Sequence, residues 1–160
     1  MKLTLEGYRD RDDVTSGDVV RAVGRIADPS GPTFVILEDS AGNYVQAAGT
    51  DGRYIVESRT VYGEGFQHYR MYRQIAGPDA ADVVYHRKKC DRHPPRRCPL
   101  RVRKSEICDL GTVEFALCAF LQTGERAPSL LWRDVTDEEM AAATRRRPED
   151  EIRTIRPGPG

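Results

Sequence analysis

Between Thr33 and Arg73 the chain alternates short apolar runs with breaks rich in Gly and Asp, at 39–42, 49–52 and 63–65. β-branched and aromatic residues at period two, interrupted at short intervals by turn formers, predict a meander of four antiparallel strands. In the first, Phe34, Ile36 and Leu37 are expected inside. In the second, Tyr44 and Gln46 share one face, and Val45 and Ala47 the other. In the third, Tyr54, Val56 and Ser58 alternate with Ile55, Glu57 and Arg59. In the fourth, Phe66, His68, Arg70 and Tyr72 alternate with Gln67, Tyr69, Met71 and Arg73. One mixed polar face predicts a sheet covered by helix on one side and wet on the other.

Two segments change period. Val19, Val20, Val23 and Ile26 recur at helical spacing, predicting a helix from Ser16 to Ala27. Thr15 or Ser16 is its N-cap, Asp18 suits the dipole in its first turn, and Asp28–Pro32 ends it. Leu110, Val113, Leu117, Phe120 and Leu121 form a second stripe, with Asp109 as N-cap and Gly124 as C-cap. Met1–Leu5 reads as a short edge strand, and Val83–His86, Leu100–Arg103 and Leu130–Val135 as further short elements. The expected fold is α+β: an antiparallel four- to six-stranded meander sheet with two helices packed on one face. Residues 1–143 would form a single domain, with a basic Cys/His-containing loop at 87–99. The charged, Pro- and Gly-rich stretch at 144–160 would be a disordered tail.

Composition narrows the classes. At 160 residues one domain is the default, and 39% hydrophobic against 31% charged implies a modest core. Zero formal net charge argues against a nucleic-acid binder held by overall charge. The charge is uneven, though: Arg87–Lys104 holds nine Lys and Arg against one acid, Asp91, while 134–139 is acidic. No apolar run approaches the ~20 residues of a membrane span, and the N-terminus lacks a secretory h-region, so a soluble cytoplasmic protein is expected. Four cysteines do not imply a disulfide framework there.

Candidate chemistry is sparse. His86, Cys90, His93 and Cys98 are four N and S donors within thirteen residues, a set that suits tetrahedral zinc. Their spacing matches no standard zinc module, so a solvated basic loop is the preferred reading, with no cofactor expected and a structural zinc as the alternative. A Cys90–Cys98 bridge would require an oxidising compartment. The loop lacks interleaved aromatics for base stacking, which makes nucleic acid a secondary partner. Cys108 and Cys118 read as buried, inert small hydrophobes. A catalytic thiol would need a base, and His68 is the one nearby candidate. Glu57, Arg59, His68 and Arg70 share a sheet face as an acid/base site or, preferably, as strand-face salt bridges. No phosphate-loop or zinc-deaminase motif is present.

The succession FVILE, YVQAAG, YIVESR and FQHYR, followed by a helix after Asp109 and by Trp132-Arg133-Asp134, resembles the small immunity proteins that protect bacteria from their own polymorphic toxins. Within that group it is most similar to a family associated with deaminase-like toxins. The similarity spans about Ser16 to Asp137 and rests on hydrophobic strands with a few polar markers; the 86–98 segment falls outside the pattern. The resemblance implies a non-catalytic inhibitor that occludes the active site of a cognate protein toxin. The residues expected to meet such a partner are Tyr44, Tyr54, Arg59, Tyr69, Arg70, Tyr72, Trp132 and Asp134. For Trp132 core packing is the stronger reading. A zinc-stabilised interaction or nucleic-acid-binding module built on 86–98 is the competing reading, and a small enzyme on the open sheet face the third. The oligomeric state is not legible.

Overall fold

The computed structural model describes residues 1–90, 93–138 and 140–141, with the side chains of 86–98 outside the description. The fold is α+β. A seven-stranded antiparallel sheet contains β1 (Lys2–Leu5), β2 (Arg11–Asp12), β3 (Phe34–Glu38), β4 (Tyr44–Thr50), β5 (Arg53–Tyr62), β6 (Gly65–Tyr72) and β9 (Leu131–Asp134). Its order is β2-β1-β3-β4-β5-β6-β9, so the predicted meander forms the centre. β1 is not the edge: the two-residue β2 pairs outside it.

Helix α1 (Ser16–Ile26) begins in a reciprocal cap. Thr15 N donates to Asp18 Oδ2 at 3.0 Å, and Asp18 N donates to Thr15 Oγ1 at 3.3 Å. Two otherwise orphaned backbone donors are thereby satisfied. Thr15→Ala is expected to cost about 1 kcal/mol in urea unfolding, with an unchanged m-value; no measurable loss would show that the cap is dispensable. Helix α2 (Leu110–Thr123) follows N-cap Asp109 and ends at Gly124, whose φ of 71° is the left-handed conformation that side chains resist.

Both helices pack on the same sheet face. Val19, Val23 and Ile26 of α1 and Val113, Leu117 and Phe120 of α2 meet Val35, Leu37, Val45, Ala47, Tyr54 and Val56. Burying each such aliphatic or aromatic side chain is worth about 1.5–3 kcal/mol, which makes this layer the principal source of stability. In β3 it is Val35 and Leu37 that are buried, whereas Phe34 and Ile36 sit half-buried on the other face. Val20, expected on the apolar stripe, is exposed. At Gly49 a side chain is excluded: φ is 154°, and a Cβ would lie 2.1 Å from the Arg53 carbonyl oxygen.

Residues 87–99, expected to be a loop, differ. β7 (Ala81–Cys90) and β8 (His93–Arg103) pair antiparallel as a separate two-stranded sheet. Such a ribbon leaves each strand with one unpaired edge, which accommodates the prolines at 94, 95 and 99. It packs over β4 and β5, where Val84, Val102 and Leu100 join Ile55, Ile107 and Ala48 in a second apolar cluster. The face opposite the helices is therefore covered at this end, and only the remainder is open. The expected tail at 144–160 lies outside the described residues. Among those described, no helix is long and apolar enough to cross a membrane.

Candidate functional site

Strand register arranges the open part of that second face in two rows. Glu38 pairs with Tyr44, Tyr44 with Arg59 and Arg59 with His68, forming one row. Gln46 pairs with Glu57, Glu57 with Arg70 and Arg70 with Arg133, forming the next. Because side chains alternate across a strand, all of these project to the side away from α1 and α2.

The second row is a chain of ion pairs. Arg70 grips Glu57 Oε1 through Nε at 2.9 Å and Nη2 at 2.6 Å, while Gln46 Nε2 donates to Oε2 at 2.7 Å. Arg70 Nη1 reaches Glu106 Oε2 at 3.4 Å. Glu106 comes from a 3-10 turn, Lys104–Glu106, and its Oε2 also accepts the Arg103 backbone N–H at 2.8 Å. Arg133 Nη2 donates to Glu106 Oε1, and Arg133 Nη1 to Glu138 Oε1. Glu57, Arg70 and Glu106 are all buried, Glu106 to 1% exposure. Burial alone would push the Glu57 carboxyl up. His68 and Arg70 beside it outweigh that and bring it down to about 2.

This arrangement suits scaffolding better than proton transfer. Both oxygens of Glu57 and both of Glu106 already accept charged or amide donors, and a carboxylate held so low is a poor base near neutral pH. His68 Nε2 lies 3.7 Å from Glu57 Oε2, beyond hydrogen-bond reach. The salt-bridge reading of Glu57 and Arg70 thus holds. The Cys–His pairing is not formed, since Cys118 lies on α2 and His68 faces the opposite side of the sheet. Cys108 is inert: burial pushes its thiol up to about 12, and Sγ donates to the Tyr54 carbonyl at 3.4 Å.

The first row is aromatic and cationic. The Arg59 guanidinium stands 4.7 Å over the Tyr44 ring and 5.9 Å from that of Phe66, and Tyr44 meets His68 edge to face at 6.0 Å. Arg59 Nη2 donates to the Gly42 carbonyl at 3.2 Å. Tyr44, Arg59 and Phe66 are each half-buried, so their outer surfaces stay accessible.

The eight residues expected at an interface do not share one surface. Tyr44, Arg59, Arg70 and Tyr72 lie on this second face, with Arg70 buried in the ion-pair chain. Tyr69, Trp132 and Asp134 lie on the helix side, where β6 and β9 run past α2. There Arg126, which no sequence signal singled out, stacks 3.4 Å over Tyr69 and 5.8 Å from Trp132. Trp132 Nε1 donates to the Ala127 carbonyl at 3.0 Å and packs on the core, as its anchoring reading required. Tyr54 is a correction: it is 1% exposed, with its hydroxyl donating to the Ile26 carbonyl at 3.2 Å, and so belongs to the core. A hydroxyl that finds a partner inside lets tyrosine serve as a core residue.

His86, Cys90, His93 and Cys98 lie outside the described residues as regards their side chains. Backbone register sets His86 opposite Cys98 and Cys90 opposite His93. Among the described residues no group of three or more His, Cys, Asp or Glu converges to hold a metal ion. No protein-family model matches the chain, and no curated protein or solved structure is significantly similar to it.

Proposed function

We propose that the chain is a non-catalytic inhibitor that binds a cognate protein toxin and occludes its active site, in the manner of the immunity proteins its sequence resembles. The observation that carries this reading is the stack of Tyr44, Arg59 and Phe66 on the sheet face opposite the helices. Aromatic and arginine side chains held rigid by their neighbours lose little entropy on contact and are the residue types that dominate interface energies. The ion-pair chain beside them gives this platform a stiff base, while its carboxylates are committed to arginine and amide donors.

The test is binding and protection. The product of the gene adjacent to this one is expected to be toxic when expressed alone, harmless when co-expressed, and to form a one-to-one complex by calorimetry. Tyr44→Ala and Arg59→Ala should each weaken that complex by about 2 kcal/mol, roughly 30-fold. An adjacent product that is neither toxic nor bound would refute the proposal.

A further inference from the structure

A separate site, independent of the platform, lies between α1 and the β1–β2 hairpin. Asp18, Arg21 and Arg25 succeed one another along α1 at spacings of three and four, which places them on one helix face. With Tyr8, Arg9 and Arg11 they line an open cleft of about 310 Å³ floored by Leu3, Leu5 and Ala22. Four guanidinium groups thus surround a single carboxylate.

That carboxylate is already saturated. Asp18 accepts from Thr15 N at 3.0 Å, Thr15 Oγ1 at 2.6 Å and Arg21 Nη2 at 2.6 Å, and from Arg11 Nη1. It is 6% exposed and pins Arg11 and Arg21 beside each other at the cleft wall. Neither Arg9 nor Arg25 forms an ion pair among the described residues. Arg25 instead lies 4.4 Å over one face of the Tyr8 ring, which is 50% exposed. Converging guanidiniums repel one another, and an anion in the cleft relieves that repulsion. The planar guanidinium fork matches phosphate oxygens two at a time, which a lysine cluster does not. The Tyr8 ring and the Leu3–Leu5 floor add an apolar surface that an inorganic anion would leave unused.

We infer that this cleft binds a small organic phosphate: a phosphomonoester carrying a flat ring, of about the size of a nucleoside monophosphate. Arg9 and Arg25 supply the mobile charges, Arg11 and Arg21 the fixed ones, and Tyr8 with the leucine floor holds the ring. Calorimetric titration of the full chain with AMP, GMP, ribose 5-phosphate and inorganic phosphate, at low and physiological ionic strength, tests the assignment.

The nucleotides are expected to bind roughly tenfold or more tightly than inorganic phosphate or the ring-free sugar phosphate, because stacking contributes only when a ring is present. The Arg9→Gln/Arg25→Gln variant should weaken nucleotide binding by at least about tenfold while its thermal melt stays unchanged, since both side chains are exposed. Should the double variant not fold, Arg9→Gln alone should still lose binding measurably. No heat with any ligand, or undiminished binding in the variants, would overturn the site. Equal affinity for inorganic phosphate would overturn the ring assignment. Tighter binding of an oligoglutamate peptide than of any nucleotide would overturn it in favour of an acidic protein segment.

Discussion

Glu106→Ala is expected to destabilise the protein by about 3–5 kcal/mol, the range for removing one partner from a buried ionic network. Glu106 is 1% exposed and sits between two guanidiniums, Arg70 Nη1 at 3.4 Å and Arg133 Nη2, while also accepting the Arg103 backbone N–H. Alanine leaves the buried Arg70 with one carboxylate fewer and strands a backbone donor. Two controls separate charge from packing. Glu106→Gln keeps the shape and an acceptor for Arg103, so it should lose less. Glu138→Ala removes the exposed end of the same chain, 55% accessible, and should cost no more than about 1 kcal/mol. Urea unfolding at neutral pH is the measurement. A Glu106→Ala loss no larger than that of Glu138→Ala would mean that the network contributes nothing as a unit.

The second large effect is one of pH. Glu57 is held at about 2 in the folded state against an ordinary value of 4.5. Above pH 4.5 the carboxylate is ionised whether the chain is folded or not, and its stabilising contribution is fully present. Between 4.5 and about 2 the unfolded chain takes up a proton that the folded chain refuses, so stability falls as the pH falls; below about 2 the contribution is gone. Its size is on the order of 3 kcal/mol, from a separation of two to three pH units. Glu57→Gln mimics the protonated side chain. The variant should therefore be less stable than the parent at pH 7 by about that amount, and the difference should shrink steadily from pH 4.5 downward. A gap that stays constant across this range would show that Glu57 gains nothing from its charge in the fold.

These residues illustrate how unevenly the chain can be read. Glu57 and Arg70 were legible as partners because they belong to adjacent strands whose alternation places them on one face. Glu106 was not, because it lies 36 residues from Arg70 and 27 from Arg133 and arrives through a short turn with no periodicity. Arg126 escaped for the same reason: its stack on Tyr69 depends on β9 pairing with β6 after the chain has passed through α2. Tyr54 was misplaced because alternation separates two faces without saying which will be covered, or how completely.

The hairpin of β7 and β8 is the clearest departure. Its charges and prolines argue for a loop, and local propensity supports that; yet Val84, Leu100 and Val102 recur far enough apart to be invisible as a pattern until Ile55 and Ala48 supply the surface they cover. Local chemistry alone settles where α1 and α2 begin and end, since caps are satisfied within three residues, and settles the four central strands, since period two and glycine turns act over neighbouring positions. The order β2-β1-β3-β4-β5-β6-β9, the second sheet, the buried ion-pair chain and the arginine cleft were decided only by the tertiary structure. Each depends on which distant segments share a surface, and that is fixed by burial summed over the whole chain rather than by the preferences of any stretch within it.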